Sequence, residues 1–282
     1  MDLERRVPMH SGVIGMQHIN IKEQVNSWRD YVNNIRTKGV PLLEKLDEFP
    51  GAILVSGCQR SGTTMMTRVI NQSDDIADIK YGYDDELDVA LILSGWRPLH
   101  INKEKKYCFQ TTYLNNSYRE YFEHDNYKLI WVVRNPYSVV RSLLYNWTRY
   151  ALNDLYLTCG KCYMEKIAET EKPPVNYWAP WRKNIYKACY SYNGKISQII
   201  EIKKTIRDEQ LLVVGYEDII SNSSLILPKV FDFIGIEYKD EFTDIVNRKN
   251  KNKKRILSLE EENIINHMCV PVYQEVKELC YL

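Results

Sequence analysis

No run of eighteen apolar residues occurs anywhere in the 282 residues, so no membrane-spanning helix is expected. The opening segment, MDLERRVPMHSG, lacks the apolar stretch of a secretory signal, which points to a cytoplasmic protein with no membrane partner. Charge of one sign is missing as well. A formal net charge of +1 argues against the broad basic face of a general nucleic-acid binder. Disulfide arithmetic also fails: seven cysteines, an odd number in a mid-sized chain, suit a reducing compartment better than a disulfide framework. Cys159-Gly-Lys-Cys162 is a CxxC, but no second pair follows at zinc-ribbon spacing. No internal repeat or low-complexity tract appears. What is present is a hydrophobic content of 44%, enough to fill the core of one large α/β domain.

Five short runs read as strands, at 52–56, about 77–81, 107–111, 129–133 and 211–215, with helix-period segments between them. Strands alternating with helices predict an α/β three-layer sandwich around a central parallel sheet, with 1–282 as a single domain. Residues 1–50 hold a polar helix-like stretch at roughly 20–37 and a turn at Pro50-Gly51, and read as an N-terminal helical appendage. Residues 144–192 form an aromatic-rich insertion, from Tyr145, Trp147 and Tyr150 to Tyr190 and Tyr192. Mixed core and pocket wall is the expected use of those rings.

The most informative segment is 53–64, ILVSGCQRSGTT. An apolar run (Ile53, Leu54, Val55) leads into a small-residue turn containing Gly57 and Gly62, and the helix-period segment MMTRVINQS follows. Such a loop aims N–H groups and a helix dipole at an anion. The spacing Gly57-x4-Gly62 is that of a phosphate loop, but Thr63 stands where a nucleoside triphosphatase carries its Lys. The cation lies inside the loop instead, as Arg60. That combination argues for a phosphate bound without ATP and magnesium. A second segment, 127–147, reads YKLIWVVRNPYSVVRSLLYNW. Leu129 to Val133 has the continuous apolar pattern of a strand buried on both faces. Arg134 stands at its carboxyl end, Pro136 suits the first turn of the next helix, and Ser142 lies within that helix. Ligands of open parallel sheets bind beyond the carboxyl ends of the strands, so Arg134 and Ser142 are placed to hold a second phosphate.

Together these segments resemble the PAPS-dependent sulfotransferases. The resemblance spans roughly residues 50–282. It implies the family's P-loop-like fold and a donor, 3′-phosphoadenosine 5′-phosphosulfate (PAPS), that leaves as 3′,5′-adenosine bisphosphate (PAP). It also implies that Gln59, Arg60, Ser61, Gly62, Thr63 and Thr64 hold the 5′-phosphosulfate, and that Arg134 and Ser142 hold the 3′-phosphate. LLVVGYEDII (211–220) is similar to the family's late strand, which would put Tyr216 near the nucleotide. The basic run 248–255, with Lys253 and Arg255, is similar to the loop that covers the phosphates. Arg in the first motif is nearer to the branch containing bacterial and tyrosylprotein enzymes than to the Lys-bearing cytosolic branch.

Sulfuryl transfer, like phosphoryl transfer, is served mainly by positioning and electrostatics. Arg60 and the loop N–H groups can neutralise the leaving oxygens, so no metal is called for. The cytosolic branch uses a His base, and none of His10, His18, His100, His124 and His267 stands in the matching place. Where many relatives carry a Lys after the 107–111 strand, this chain has Gln110-Thr111-Thr112. The tyrosylprotein branch uses a Glu in a loop after its first motif, and the matching region here is 81–88, YGYDDELD. Asp84 or Asp85 is the expected catalytic base, since a like-charged neighbour raises one carboxylate pKa. The competing reading is that Asp84 caps the helix DELDVALIL.

Asp84, Asp85, Glu86 and Asp88 cluster beside the expected transfer point, and aromatics dominate the insertion. Carboxylates and ring faces together suit a cation, with cation–π contact worth roughly 0.5–2 kcal/mol. Four acids at the mouth of a neutral steroid or phenol pocket would be costly to bury. The expected acceptor is therefore a small, cationic, nitrogen-rich molecule of secondary metabolism, such as a guanidinium alkaloid toxin, sulfated on a hydroxyl or amine. The alternatives are a sulfotransferase acting on peptide or carbohydrate, a P-loop small-molecule kinase, and a non-catalytic nucleotide-binding module. The missing Lys after Gly62 and the Arg134/Ser142 pair stand against the kinase.

Overall fold

In the computed structural model, which describes residues 25–168, 172, 183–247 and 256–281, the apolar runs form four strands. These are β1 (Ala52–Gly57), β2 (Cys108–Gln110), β3 (Tyr127–Val133) and β4 (Leu211–Gly215). All pair in parallel, in the order β2-β1-β3-β4, with Leu54 opposite both Phe109 and Leu129 and Trp131 opposite Val213. Helices in chain order are α1 (Trp28–Asn34), α2 (Thr63–Ile70), α3 (Asp85–Leu93), α4 (Pro136–Tyr145) and α5 (Arg149–Leu155). After them come α6 (Lys161–Lys166), α7 (Lys183–Ile196), α8 (Gln198–Thr205), α9 (Tyr216–Ser221) and α10 (Ser223–Ile234). Two further helices, Leu259–Met268 and Val270–Lys277, close the chain. Among the described residues no helix is long and apolar enough to cross a membrane.

Successive strand side chains point to opposite faces, and the packing follows that period. Leu54, Leu129, Trp131 and Val213 join a core cluster with α1, α3, α4, α7 and α8. Ile53, Val55, Ile130, Val132 and Val214 join a second cluster, with Met66 and Val69 of α2 and Leu227 and Phe231 of α10. The predicted three-layer sandwich around a parallel sheet is thus observed. Because both faces are covered, the strands had to be continuously apolar, which is why they were conspicuous in the sequence.

One expected strand is absent. Residues 77–81 contribute only an isolated bridge at their edge, Ile76 with Lys106. Asp78 and Lys80 are exposed, so the segment has no second face to bury and leaves the sheet after one pairing. The strand expected at 107–111 shortens to 108–110. In the N-terminal segment the helix is Trp28–Asn34, and Tyr31, Ile35, Leu42 and Leu46 are buried in the first cluster. Its residues before 25 lie outside the described ones.

Candidate active site

The first functional segment is shaped by its backbone. β1 ends at Gly57 (φ 142°), where a Cβ would run into the carbonyl oxygen of Val132. The loop then passes through Arg60 (φ 72°) and Gly62 (φ 104°), and α2 begins at Thr63. A Cβ on Gly62 would fall on the Tyr216 ring, so glycine is required there by conformation and by space together. Gly62, Thr63 and Thr64 line a cleft of about 380 Å³, where the unsatisfied N–H groups of the first turn of α2 gather.

The second segment meets the first directly. Asn135 caps α4, its Oδ1 accepting from the Ser138 N–H at 2.9 Å, with Pro136 in the first turn. The same side chain donates through Nδ2 to Glu217. Arg134, at the end of β3, donates through Nη1 to the Arg60 carbonyl at 3.2 Å, and its guanidinium lies 3.9 Å from the Tyr216 ring centroid. Arg60 Nε donates to Ser142 Oγ at 3.0 Å. The structure therefore brings Gln59, Arg60, Gly62, Thr63, Thr64, Arg134, Ser142 and Tyr216 to one cleft. Ser61 is buried behind it, its Oγ without a hydrogen-bond partner. Lys253 and Arg255 lie outside the described residues.

Sequence reasoning missed Arg141, which also lines the cleft from the turn of α4 that carries Ser142. A second Arg in the run RNPYSVVRS was the available signal. The Nε atoms of Arg134 and Arg141 are buried without hydrogen-bond partners. Burial, with Arg141 and Arg60 adding to it, holds Arg134 below the usual guanidinium range, against the opposing pull of Tyr216 and Glu217. Crowded cations with buried, unbonded N–H groups fit a ligand bearing several negative charges and many acceptor oxygens.

Of the acidic run, neither Asp84 nor Asp85, the two carboxylates expected as base, lines the cleft that holds Arg60, whereas Glu86 does. Asp84 is the N-cap of α3: Oδ1 accepts from the Leu87 N–H at 3.0 Å and Oδ2 from Trp28 Nε1 at 2.8 Å. Asp85 faces a small neighbouring cleft of about 120 Å³ with Arg68 and Asp78, which shares Thr64 and Gln110 with the main one. Glu86 is the carboxylate that lines the cleft beside Arg60. Its two oxygens are held separately, one by Gln110 Nε2 at 3.1 Å and the other by the Thr112 hydroxyl. Burial raises its pKa to about 7; the Thr112 bond opposes this and Asp84 adds to it. The cap decides the register. With Asp84 outside the helix, the side chain two positions on projects to the cleft, and the longer Glu reaches it. Asp88 is spent on Arg97 and the Gly82 N–H.

A second cavity of about 310 Å³ adjoins the cleft, and Gln59, Glu86, Thr112 and Trp147 line both. Its aromatic lining is Trp28, Tyr113, Trp147 and Tyr150. Its charged groups are Asp84, Glu86 and the ion pair Arg36–Asp154. The insertion supplies both walls (Trp147, Tyr150) and core, since Tyr190 and Tyr192 are fully buried.

This arrangement, two phosphate-type elements and one half-buried carboxylate on a covered parallel sheet, fits a group-transfer site for an anionic donor. The family model described as the sulfotransferase domain matches residues 50–275, and the chain belongs to the sulfotransferase family. Among similar solved structures is a mouse sulfotransferase complexed with PAP, 17% identical with a TM-score of 0.47, the match covering 85% of this chain and 93% of that one. Another is the sulfotransferase domain of the curacin biosynthetic pathway, 13% identical with a TM-score of 0.43, covering 82% and 92%. A sulfotransferase from Mycobacterium avium is 11% identical with a TM-score of 0.47, covering 89% and 80%. A comparison with curated proteins finds no match.

Proposed function

We propose that this sulfotransferase moves the sulfuryl group of PAPS to a hydroxyl or amine of a small, cationic, nitrogen-rich metabolite, of which a guanidinium alkaloid is an example. The observation that carries this reading is Glu86, which stands where the arginine-lined cleft meets the aromatic cavity. Arg134, Ser142 and Arg141 would take the 3′-phosphate of the donor, and Arg60 with the N–H groups of Thr63 and Thr64 its 5′ end. As the acceptor lone pair bonds to sulfur, Glu86 takes the acceptor proton. The bond from sulfur to the bridging oxygen breaks, and its electron pair stays on the phosphate. Arg60 and the loop N–H groups hold that charge. Gln110 and Thr112 fix the orientation of Glu86, and a pKa near 7 keeps it basic enough to act at neutral pH. On the acceptor side, Trp28, Trp147 and Tyr150 offer faces to a cation, with Asp84 as a pinned negative charge.

Thermal-shift titration tests the donor assignment. PAP should stabilise the protein strongly and ATP with magnesium weakly; the reverse order would favour a kinase. A panel of cationic, neutral and anionic acceptors tests the rest. Exclusive turnover of neutral phenols or anionic sugars would overturn the cationic reading.

A further inference from the structure

Asn115 occupies a backbone position that calls for glycine. Its φ of 44° and ψ of −114° interrupt the 3₁₀ segment Thr112–Glu123 and lie near the first central position of a type II′ turn, where glycine dominates. A β-carbon is strained there, and the chain nonetheless carries a side chain at this site. That side chain is used. Asn115 Oδ1 accepts from Gln59 Nε2 at 2.9 Å, and Gln59 Nε2 also donates to the Thr112 carbonyl at 3.0 Å. The carbonyl of Asn115 accepts from Gln198 Nε2 at 2.8 Å, which fixes the strained turn from behind. Gln59, Asn115 and Gln198 are only 9%, 3% and 7% exposed, so these bonds form away from water.

The two ends of this network are the two halves of the site. Gln59 immediately precedes Arg60, itself at positive φ, and Thr112 holds Glu86. We propose that Asn115 is a positioning residue for sulfuryl transfer: by pinning Gln59 against the Thr112 turn, it sets the placement of Arg60 relative to Glu86. The proposal rests on the function assigned above. A residue serving the turn alone would be glycine; the carboxamide is what glycine cannot supply.

Two substitutions separate the roles. Asn115→Gly removes the carboxamide and relieves the backbone, whereas Asn115→Ala removes it and leaves the strain. Asn115→Gly should therefore melt at or above the wild-type temperature and Asn115→Ala below it. Both should lose kcat by about 10- to 100-fold, the scale of a misplaced reacting group. In proton NMR the Gln59 side-chain amide should be protected from solvent exchange in the wild type and lose that protection in Asn115→Gly. This readout needs no turnover, so it stands apart from any failure of the sulfotransferase reading. Wild-type kcat in Asn115→Gly, unchanged Gln59 protection, or a melting temperature of Asn115→Gly below that of Asn115→Ala would each overturn the proposal.

Discussion

Replacing Glu86 by Gln should make the protein more stable and nearly inactive, and the stability gain should depend on pH. Burial lifts the Glu86 carboxyl from an ordinary 4.5 to about 7. A displacement of that size corresponds to ~3 kcal/mol between folded and unfolded states when the group is fully ionised. Glu86 keeps part of its surface on the cleft, so solvent screening brings the expected figure to about 2 kcal/mol. The sign follows from the raised value. Below the ordinary carboxylate range the group is protonated in both states and folding bears no penalty. As pH rises toward 7 the unfolded chain ionises first, and the folded protein loses relative stability until Glu86 ionises too. Gln has no such titration. The melting temperature of Glu86→Gln should match the wild type near pH 4.5 and exceed it by about 4–8 °C at pH 8. Turnover should fall by about 10²–10⁴, and the wild-type inflection near pH 7 in kcat should disappear. Differential scanning calorimetry across pH and a pH–rate profile read both. A melting difference that stays constant from pH 5 to pH 8, or full activity in the variant, would refute the assignment of Glu86.

The donor side is tested separately. Arg60→Ala should lose kcat by on the order of a hundredfold, the effect of removing one transition-state donor, and near-normal sulfate transfer would show that the loop is misassigned. Arg134→Ala and Ser142→Ala should weaken binding of PAP far more than that of 5′-AMP, as read by isothermal titration calorimetry. Equal weakening of both ligands would point to a general folding or adenosine defect.

What was legible in the sequence was what a single local pattern can carry. β1, β3 and β4 are buried on both faces, so their apolar runs needed no partner to be recognised. Arg60, Arg134 and Ser142 stand at fixed offsets from a strand end, and a parallel sheet carries strand ends to one edge. The same logic failed for 77–81, whose alternating charged residues resembled a strand but had no neighbour beyond one bridge. It failed also within the acidic run. The capping reading of Asp84 placed the start of α3 correctly, but which acid then meets the cleft depends on partners distant in sequence: Trp28 on Asp84, and Gln110 and Thr112 on Glu86. Asn115 is further from legibility still, because its meaning resides in a dihedral angle, and a lone Asn carries no periodicity. Donor binding can be built from strand–loop–helix units that repeat a local geometry. The proposed base and its proposed support depend on long-range partners of one helix and on the strain of one turn, which no local sequence pattern carries.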